Sequence, residues 1–463
     1  MKQLTKLMLL LVVLSMMAGM ISCSASGFTD SDPSGGDFGG FLGGGPSLNG
    51  STSSGKGDSG AGDGSPLTPD SAPTEDGAEG GVSDDAESDD STEAVKPDEN
   101  LKLPSGMITA GAWNDNDYYQ MWLDLFSQDG DEKGKLHDYT NPDNSWGYNS
   151  QKRVKVYVSN DENPVAGAEV VAYDEQGEPL YKAVTDAQGN AYLFPDALSG
   201  TVSVTSGSDT VTAGFTSDER SISVEIASAY DKLNIIEIML VVDVTGSMGD
   251  EIGFLKAELA DVVNRIVEND GDTVIKLAML FYRDTDDKVP FDYYDFTDVT
   301  NTSGLTTQQS ALNAQGASGG GDYPEAVDEA LNIAVNKQWS TGVTTKIIFH
   351  VLDAPAHEKT ENKEKLVSAT KIAAEKGIRI CPIICSGAAE VTEYTMREAA
   401  IYTGGTFIFV TDDSGIGGAH HDPDIPNVTV ELLNSMMVRL VKGYHTGTFD
   451  DPIYWKQDPN LHQ

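Results

Sequence analysis

The sequence predicts an α/β fold with a doubly wound, mostly parallel sheet, preceded by a small all-β sandwich and by a disordered, acidic N-terminal tether. Three observations lead to this prediction. Aliphatic strand-like runs alternate with amphipathic helical patterns in residues 233–444. Short alternating strands separated by turn residues occupy residues 151–228. Residues 23–100 are mainly Gly, Ser, Asp, Pro and Glu, with too little apolar surface to offset the conformational entropy of folding.

The overall charge limits the classes of partner. The chain of 463 residues carries a formal net charge of −43 at pH 7. Nucleic-acid binding is not expected, because few cations are available to neutralise phosphates. An acidic chain of this kind is consistent with a solvated exterior and with divalent cations nearby.

The first 22 residues have the features of a signal peptide. Lys2 and Lys6 precede an apolar stretch, residues 7–20, that is too short to span a bilayer comfortably. Cys23 ends the string Met-Ile-Ser-Cys, which resembles the lipobox of bacterial lipoproteins. The resemblance implies that Cys23 becomes the lipid-modified first residue of a protein anchored in the bacterial cell envelope, with the outer membrane or cell surface as the expected location. The alternative is an ordinary cleaved signal peptide.

Residues 101–150 form an aromatic-rich segment ahead of the sandwich. Its residues Trp113, Trp122 and Trp146 permit two interpretations. We favour the first, in which they dock the segment onto a neighbouring domain. In the second, they bind a carbohydrate or matrix ligand together with the sandwich, and the α/β domain is structural.

The sandwich is predicted from its alternation of apolar and polar residues. Val154, Val156 and Val158 alternate with Lys155 and Tyr157. Two strings, Pro-Val-Ala-Gly-Ala at 164–168 and Thr-Asp-Ala-Gln-Gly at 185–189, resemble the carboxypeptidase-regulatory-like, transthyretin-like sandwich family. In that family the module is a spacer or packing partner, so the resemblance implies no catalytic residues here.

The α/β region contains the longest buried-strand patterns of the chain. The predicted strands are 236–243, 274–282, 346–353, 378–385 and 406–411, with an edge strand at 289–296. The predicted helices are 248–267, 323–337, 362–376, 391–402 and 428–441. The tail, residues 445–463, is expected to pack back on the body or to be partly disordered.

Two further cysteines lie in this region. Cys381 and Cys385 are on one predicted strand, and four strand residues hold their Cα atoms too far apart for a disulfide. Both are expected to be small buried hydrophobic residues.

Polar side chains from three loops should meet at the carboxyl edge of the sheet, where open α/β sheets place their ligands. Asp243, Thr245 and Ser247 follow one buried strand, and Asp353 ends another. Between them in sequence lies a Gly-rich loop that contains Asp322. Oxygen donors of this kind suit Mg²⁺ or a similar hard cation. The alternative is that Asp243 and Asp353 cap helices, with Ser247 as the N-cap of the helix after it.

The order and spacing of these motifs resemble the metal-ion-dependent adhesion site of the von Willebrand factor type A family. The resemblance implies a Rossmann-like domain and a divalent cation, Mg²⁺ by expectation with Ca²⁺ and Mn²⁺ as alternatives. Its implied ligands are Asp243, Thr245, Ser247, Asp322 and Asp353. Many family members have a coordinating Thr in the second loop where this chain offers Asp322, so direct and water-mediated coordination by Asp322 both stay open.

The family resemblance also implies a function. In the family an Asp or Glu of a protein partner completes the shell of the ion, so the predicted function is protein binding in adhesion or assembly, without catalysis. A metal-assisted hydrolase is disfavoured because no nucleophile–base pair lies beside the predicted site. Of the other polar residues, Arg283 and Asp284 are expected to form an ion pair, His350 to be a core histidine, and His420 and His421 to lie in a solvated surface loop.

Overall fold

The computed structural model describes residues 105–129, 132–269, 272–321 and 323–461. The predicted signal peptide, the lipidation residue Cys23, the tether at 23–100 and the predicted metal ligand Asp322 lie outside the described residues. No helix in the described ranges is both long enough and apolar enough to cross a membrane.

The secondary structure follows the predicted division into an all-β part and an α/β part. The helices are α1 (Tyr119–Asp124), α2 (Ile252–Asn269), α3 (Thr302–Asn313), α4 (Val327–Val335), α5 (Thr360–Lys376), α6 (Glu390–Thr403) and α7 (Leu433–Thr446). The strands up to the end of the sandwich are β1 (Thr109–Trp113), β2 (Gln128–Asp129), β3 (Glu132–Lys133), β4 (Val154–Asn160), β5 (Asn163–Pro164), β6 (Glu169–Tyr173), β7 (Pro179–Val184), β8 (Asn190–Leu193), β9 (Gly200–Ser206), β10 (Asp209–Phe215) and β11 (Ser221–Glu225). The later strands are β12 (Lys232–Asp243), β13 (Val274–Tyr282), β14 (Phe291–Asp298), β15 (Val343–Leu352), β16 (Ile378–Ile384), β17 (Phe407–Val410) and β18 (Glu431–Leu432).

The main sheet has the strand order β14-β13-β12-β15-β16-β17-β1-β18. The strands from β13 to β17 in this order are parallel, and β14 is antiparallel at one edge. The predicted mostly parallel α/β fold and its edge strand are therefore confirmed. From β12 the chain first adds strands on one side and then returns to add β15 on the other, so the topological switch point lies between β12 and β15.

A strand from the aromatic-rich segment completes this sheet, which the sequence did not predict. β1 pairs antiparallel with both β17 and β18, and Ala110 lies opposite Val410. Gly111 is required by close packing, because a Cβ there would lie 2.2 Å from the Phe409 ring. Part of residues 101–150 therefore belongs to the α/β domain.

The tryptophans of this segment are in the core. Trp113, Trp122 and Trp146 are 7%, 0% and 2% exposed. The indole N–H of Trp122 donates to the hydroxyl oxygen of Ser150 at 2.8 Å, and the Arg397 guanidinium stacks over its ring. These contacts favour docking, and they leave none of the three indole faces open for a sugar platform.

The sandwich consists of two small sheets. One has the order β10-β9-β6-β7, and the other has β11-β4-β5 with β8 also paired to β4. Val154, Val156 and Val158 point into the core and are fully buried. The two remaining cysteines, Cys381 and Cys385, are buried and free, as predicted.

Candidate functional site

The first predicted loop places Asp243 at the end of β12. Its carboxylate is fully buried. Oδ1 accepts the backbone N–H of Thr245 at 2.9 Å and the hydroxyl of Thr245 at 2.7 Å. Oδ2 is buried and has no hydrogen-bond partner in the described part of the chain. The Thr245 hydroxyl oxygen is also 3.1 Å from that of Ser247, so three predicted ligands lie together.

Ser247 does not act as a helix N-cap. It lies inside a short 3₁₀ helix, Gly246–Asp250, which precedes α2. The capping alternative is therefore wrong for Ser247, since its hydroxyl is directed to Thr245 and not to a free N–H of a following α-helix.

The Gly-rich loop packs against this turn through its backbone. Ser318 N–H donates to Val244 O at 2.9 Å, and Gly246 N–H donates to Gly319 O at 3.0 Å. Gly320 has φ +73°, and a Cβ there would lie 2.6 Å from an oxygen of Glu325. Both the backbone conformation and the space therefore require glycine at this position. Asp322, on the same loop, lies outside the described residues.

The third loop begins with Asp353, directly after β15. Asp353 is 3% exposed. The Tyr323 hydroxyl donates to its backbone carbonyl at 3.3 Å, and Glu325 N–H donates to Pro355 O at 3.0 Å. β12 and β15 are neighbours, so Asp243 and Asp353 follow adjacent strands at the switch point. The structure thus brings Asp243, Thr245, Ser247 and Asp353 to one edge of the sheet.

The electrostatics of the site are dominated by buried negative charge. Burial and the neighbouring charge of Asp353 raise the pKa of Asp243 to about 7, against the hydrogen bonds from Thr245 and the effect of the nearby Tyr282 hydroxyl. Burial and the charges of Asp243, Asp284, Asp353 and Asp287 raise the pKa of Glu325 to about 9. Carboxylates that crowd one another in this way cost free energy unless a proton or a cation neutralises them.

Three of these acids were not predicted as site residues. Glu325 is 3% exposed and its Oε2 has no hydrogen-bond partner among the described residues. Asp287 accepts the N–H of Gly320 at 2.8 Å, and Asp284 lies 3.0 Å from Nε2 of His357. Their only sequence signal is position: Glu325 ends the Gly-rich motif, and the two aspartates follow β13.

The donor set fits a hard cation in part. Two carboxylates and two hydroxyls suit an ion such as Mg²⁺, which keeps several waters. However, no group of three or more His, Cys, Asp or Glu side chains within the described ranges is arranged to hold a metal ion. A site here would depend on the hydroxyls of Thr245 and Ser247, and on Asp322.

The loop that contains His420 and His421 is at the surface as predicted, with Gly418 and Asp422 exposed, but the two histidine side chains are not solvated as expected. The side chain of His420 is only 3% exposed. Its ring nitrogens lie 2.9 Å from Glu251 and 2.6 Å from Asp412, and His421 lies 2.6 Å from Glu393. The two histidines instead fasten the loop to α6 and to the turn before α2.

The structure confirms the expectation for His350 and contradicts the one for Arg283 and Asp284. His350 is a core histidine as predicted: it is fully buried, and its Nε2 is 3.1 Å from the Tyr282 hydroxyl. The ion pair expected between Arg283 and Asp284 does not form among the described residues. Arg283 donates to the carbonyl of Ser318 at 2.7 Å, because the Gly-rich loop offers its backbone there, and Asp284 is bound to His357.

Residues 237–412 match the von Willebrand factor A domain family. The matched residues include the loops of Asp243 and Asp353, β12 from Glu237 onward and all of β13 to β17. The α/β part is therefore a von Willebrand factor A domain, as its motifs predicted. The match does not extend to the sandwich.

Three similar proteins share at most 26% of their aligned residues with this chain. A putative ariadne-like RING finger protein of Acanthamoeba polyphaga mimivirus is 26% identical over 228 residues, which cover 45% of this chain and 21% of that protein. The chain thus spans about a fifth of the length of this curated relative. The conserved hypothetical protein BatB from Bacteroides thetaiotaomicron is similar with 20% identity and a TM-score of 0.29, over 38% of this chain and 90% of BatB. The pilus adhesin SpaC from Lactobacillus rhamnosus GG, in its open conformation, has 11% identity and a TM-score of 0.34, over 62% of this chain and 35% of SpaC.

Proposed function

We propose that this protein binds a protein ligand through a divalent cation, Mg²⁺ by preference, at the carboxyl edge of its von Willebrand factor A domain. The proposed ligands of the ion are Asp243, Thr245, Ser247, Asp322 and Asp353. One observation carries the proposal: Oδ2 of Asp243 is buried without a hydrogen-bond partner in the described ranges, while Oδ1 is held by Thr245. A buried carboxylate oxygen of this kind is costly unless something positive contacts it.

The surrounding acids support the same proposal. Asp284, Asp287 and Glu325 lie near Asp243 and Asp353, and burial together with the charges of the four aspartates raises the pKa of Glu325. Without a cation this surface would repel the Asp or Glu of a protein ligand. With one, the ion would supply the positive contact for that carboxylate, and the hydroxyls of Thr245 and Ser247 would leave part of its coordination to water and ligand.

The family match supports protein binding over catalysis. Domains of this family act in general as interaction modules, and residues 237–412 match it. Adhesion to, or assembly with, another protein is the role we propose.

We also propose that the protein is held in the bacterial cell envelope by a lipid on Cys23. The proposal rests on the lipobox-like sequence before Cys23 and on the signal-peptide pattern. Mass spectrometry of the mature N-terminus would show a diacylglyceryl-modified Cys23, and Cys23→Ser would move the protein from the membrane to the soluble fraction. Wild-type protein with an unmodified N-terminus would refute the anchor.

The binding proposal is tested by retention on beads. The full chain, solubilised in detergent, is immobilised and offered envelope extract with Mg²⁺ or with EDTA. We expect a defined set of proteins to be retained with Mg²⁺, released by EDTA and absent on Asp243→Ala beads. Retention that is equal in all three conditions would exclude a cation-dependent contact.

A further inference from the structure

A cavity of about 590 Å³ lies at the end of the main sheet opposite the candidate metal site. It is lined by the amino-terminal ends of β12, β15 and β16, including Leu233, Val343 and Arg379, and by sandwich residues such as Val184. Ligand pockets commonly have volumes of roughly 300–1,000 Å³ and lie between domains. The cavity has the size and the position of a binding site.

Its buried charged residues are all positive. Lys346 and Arg379 are 9% and 8% exposed, and half-buried Lys376 lies beside them. None of the three forms an ion pair with a carboxylate in the described part of the chain. Their hydrogen bonds go to backbone carbonyls: Lys346 to Lys376 O at 3.2 Å, Lys376 to Val335 O at 2.8 Å and Arg379 to Thr403 O at 2.8 Å. Such a cluster is unexpected in a chain with a net charge of −43.

The carboxylates that line the cavity neutralise these cations only in part. Glu169 and Asp231 are exposed. Glu375 is bound to Lys182 at 3.3 Å, outside the cluster. Asp186 accepts two backbone N–H groups of its own turn, each at 2.9 Å, and its charge also acts on Arg379, so it offsets one of the three cations. The inner part of the cavity therefore keeps an excess of positive charge.

The cations also act on one another. Burial lowers the pKa of Lys346; the charge of Glu237 opposes this, and the charges of Arg379 and Lys376 reinforce it. Glu237 is itself occupied, since it accepts the hydroxyl hydrogens of Ser340 at 2.7 Å and Thr344 at 2.9 Å. A bound anion would relieve the repulsion among the cations.

We propose that this cavity binds a small organic anion, with a carboxylate or phosphate group against Lys346, Arg379 and Lys376. Apolar and aromatic side chains complete the lining, among them Trp339 and Val343. They suit the apolar body of such a ligand, whereas a free inorganic ion would leave them without a contact. The proposal stands on different residues from those of the cation site and does not depend on it.

The test uses the full chain after EDTA treatment and dialysis into EDTA-free buffer, so that neither a divalent cation nor the carboxylates of EDTA take part, and calorimetric titration with three probes. Phenyl phosphate and benzoate carry the two anionic groups, and benzyl alcohol is the neutral control. We expect saturable binding of at least one anion, weakened by salt, with benzyl alcohol binding more weakly. In Lys346→Gln and in Lys376→Gln the dissociation constant should rise about tenfold, the effect of losing one charge-assisted contact. Lys371→Gln is the matched control, because Lys371 is exposed and lies on α5 like Lys376. This variant should bind as the wild type does.

Every result of this titration either supports or overturns anion binding in the cavity. Circular dichroism first establishes which variants fold, and one folded variant is sufficient. Binding of neither anion, equally tight binding of benzyl alcohol, or wild-type affinity in a folded Lys346→Gln or Lys376→Gln protein would overturn the proposal. Should both variants fail to fold, the wild-type comparison of anions with benzyl alcohol, and its salt dependence, decides alone.

Discussion

Thr245 holds one oxygen of Asp243 and leaves the other free: its hydroxyl donates to Oδ1 at 2.7 Å, while Oδ2 is buried without a hydrogen-bond partner among the described residues. The aspartate is thus fixed in orientation, with one oxygen directed away from Thr245. An orientation fixed before binding lowers the entropy cost of binding an ion. It also means that the protein without an ion bears the cost of a buried, incompletely bonded charge.

The first prediction follows from that cost. In EDTA at pH 8, Asp243→Asn should unfold at a higher temperature than the wild type, because the amide keeps an acceptor for Thr245 and carries no charge beside Asp353. A gain of about 1 kcal/mol corresponds to roughly 2–4 °C for a domain of this size. Differential scanning calorimetry measures the shift. A lower unfolding temperature would mean that the charge of Asp243 stabilises the ion-free fold.

The second prediction concerns Glu325. Burial and neighbouring acids raise its pKa from the ordinary 4.5 to about 9. When folding raises the pKa of a carboxyl group, the folded protein loses stability as pH rises from the pKa in the unfolded state to the pKa in the folded state. In EDTA, Glu325→Gln should therefore show a flatter fall in free energy of unfolding between pH 5 and pH 9, by at most about 1.4 kcal/mol for each pH unit. Urea unfolding across this range tests it, and identical slopes in the two proteins would refute it.

The third prediction is a pH dependence of stability that comes from two histidines, whose charged form is favoured in the folded protein. The hydrogen bond to Glu393 raises the pKa of His421 above the ordinary 6.5. Burial would lower the pKa of His420, but its bonds to Glu251 and Asp412 outweigh it and raise that pKa too. The stability from these pairs is full below about pH 6.5 and is lost as pH rises through the folded pKa values.

This loss can be measured variant by variant. His420→Gln and His421→Gln should each reduce the difference in unfolding free energy between pH 6 and pH 8. His137→Gln, at a histidine outside this loop, is the control. A pH 6 to pH 8 difference as large in both loop variants as in the wild type would exclude these histidine pairs as a source of it.

The fourth prediction tests how the aromatic-rich segment is fastened. Arg397 on α6 donates to Asp115 at 2.6 Å and to Glu393 at 2.7 Å, and all three side chains are buried. Arg397→Met should cost about 3–5 kcal/mol in urea unfolding, because it leaves the buried carboxylate of Asp115 without a cation and Glu393 with His421 alone. The matched control is Lys133→Ala, whose pair with Asp138 is exposed and should cost less than about 1 kcal/mol. If the two substitutions lowered the free energy of unfolding equally, the buried Arg397–Asp115 pair would not be what holds the segment.

The central strands could be predicted from sequence because each is a continuous aliphatic run. β13 was predicted to the residue, and β12 and β15 within a few residues at their starts. The residues that end those runs were visible too, so Asp243 and Asp353 could be assigned to one edge of the sheet. Parallel order alone brings them together.

What the sequence did not reveal depends on distant contacts. β1 is short, and its partner Phe409 lies far along the chain from Gly111. α3 has a polar sequence without apolar periodicity, and its start is fixed by Asn301, whose side chain accepts the N–H of Gly304 at 2.9 Å. α4 begins at Val327, later than predicted, because Glu325 pairs with the loop after β15 before the helix starts.

The site residues that the sequence did not reveal also depend on contacts between distant parts of the chain. Asp287 and Glu325 reach the site through loops whose paths no local pattern describes. His420 was expected in solvent because its neighbours are Gly and Asp, but Glu251 and Asp412 come from other parts of the chain to bury it.

The most direct test of the cation site is thermal unfolding of the full chain in EDTA and with Mg²⁺, Ca²⁺ or Mn²⁺, beside Asp243→Asn under the same conditions. At a cation concentration about 100 times the dissociation constant, binding to the folded state adds about 2.7 kcal/mol. We predict a rise in the wild-type unfolding temperature with at least one cation, and none in Asp243→Asn. An unchanged wild-type temperature with all three cations, or an equal rise in the variant, would contradict the proposed site.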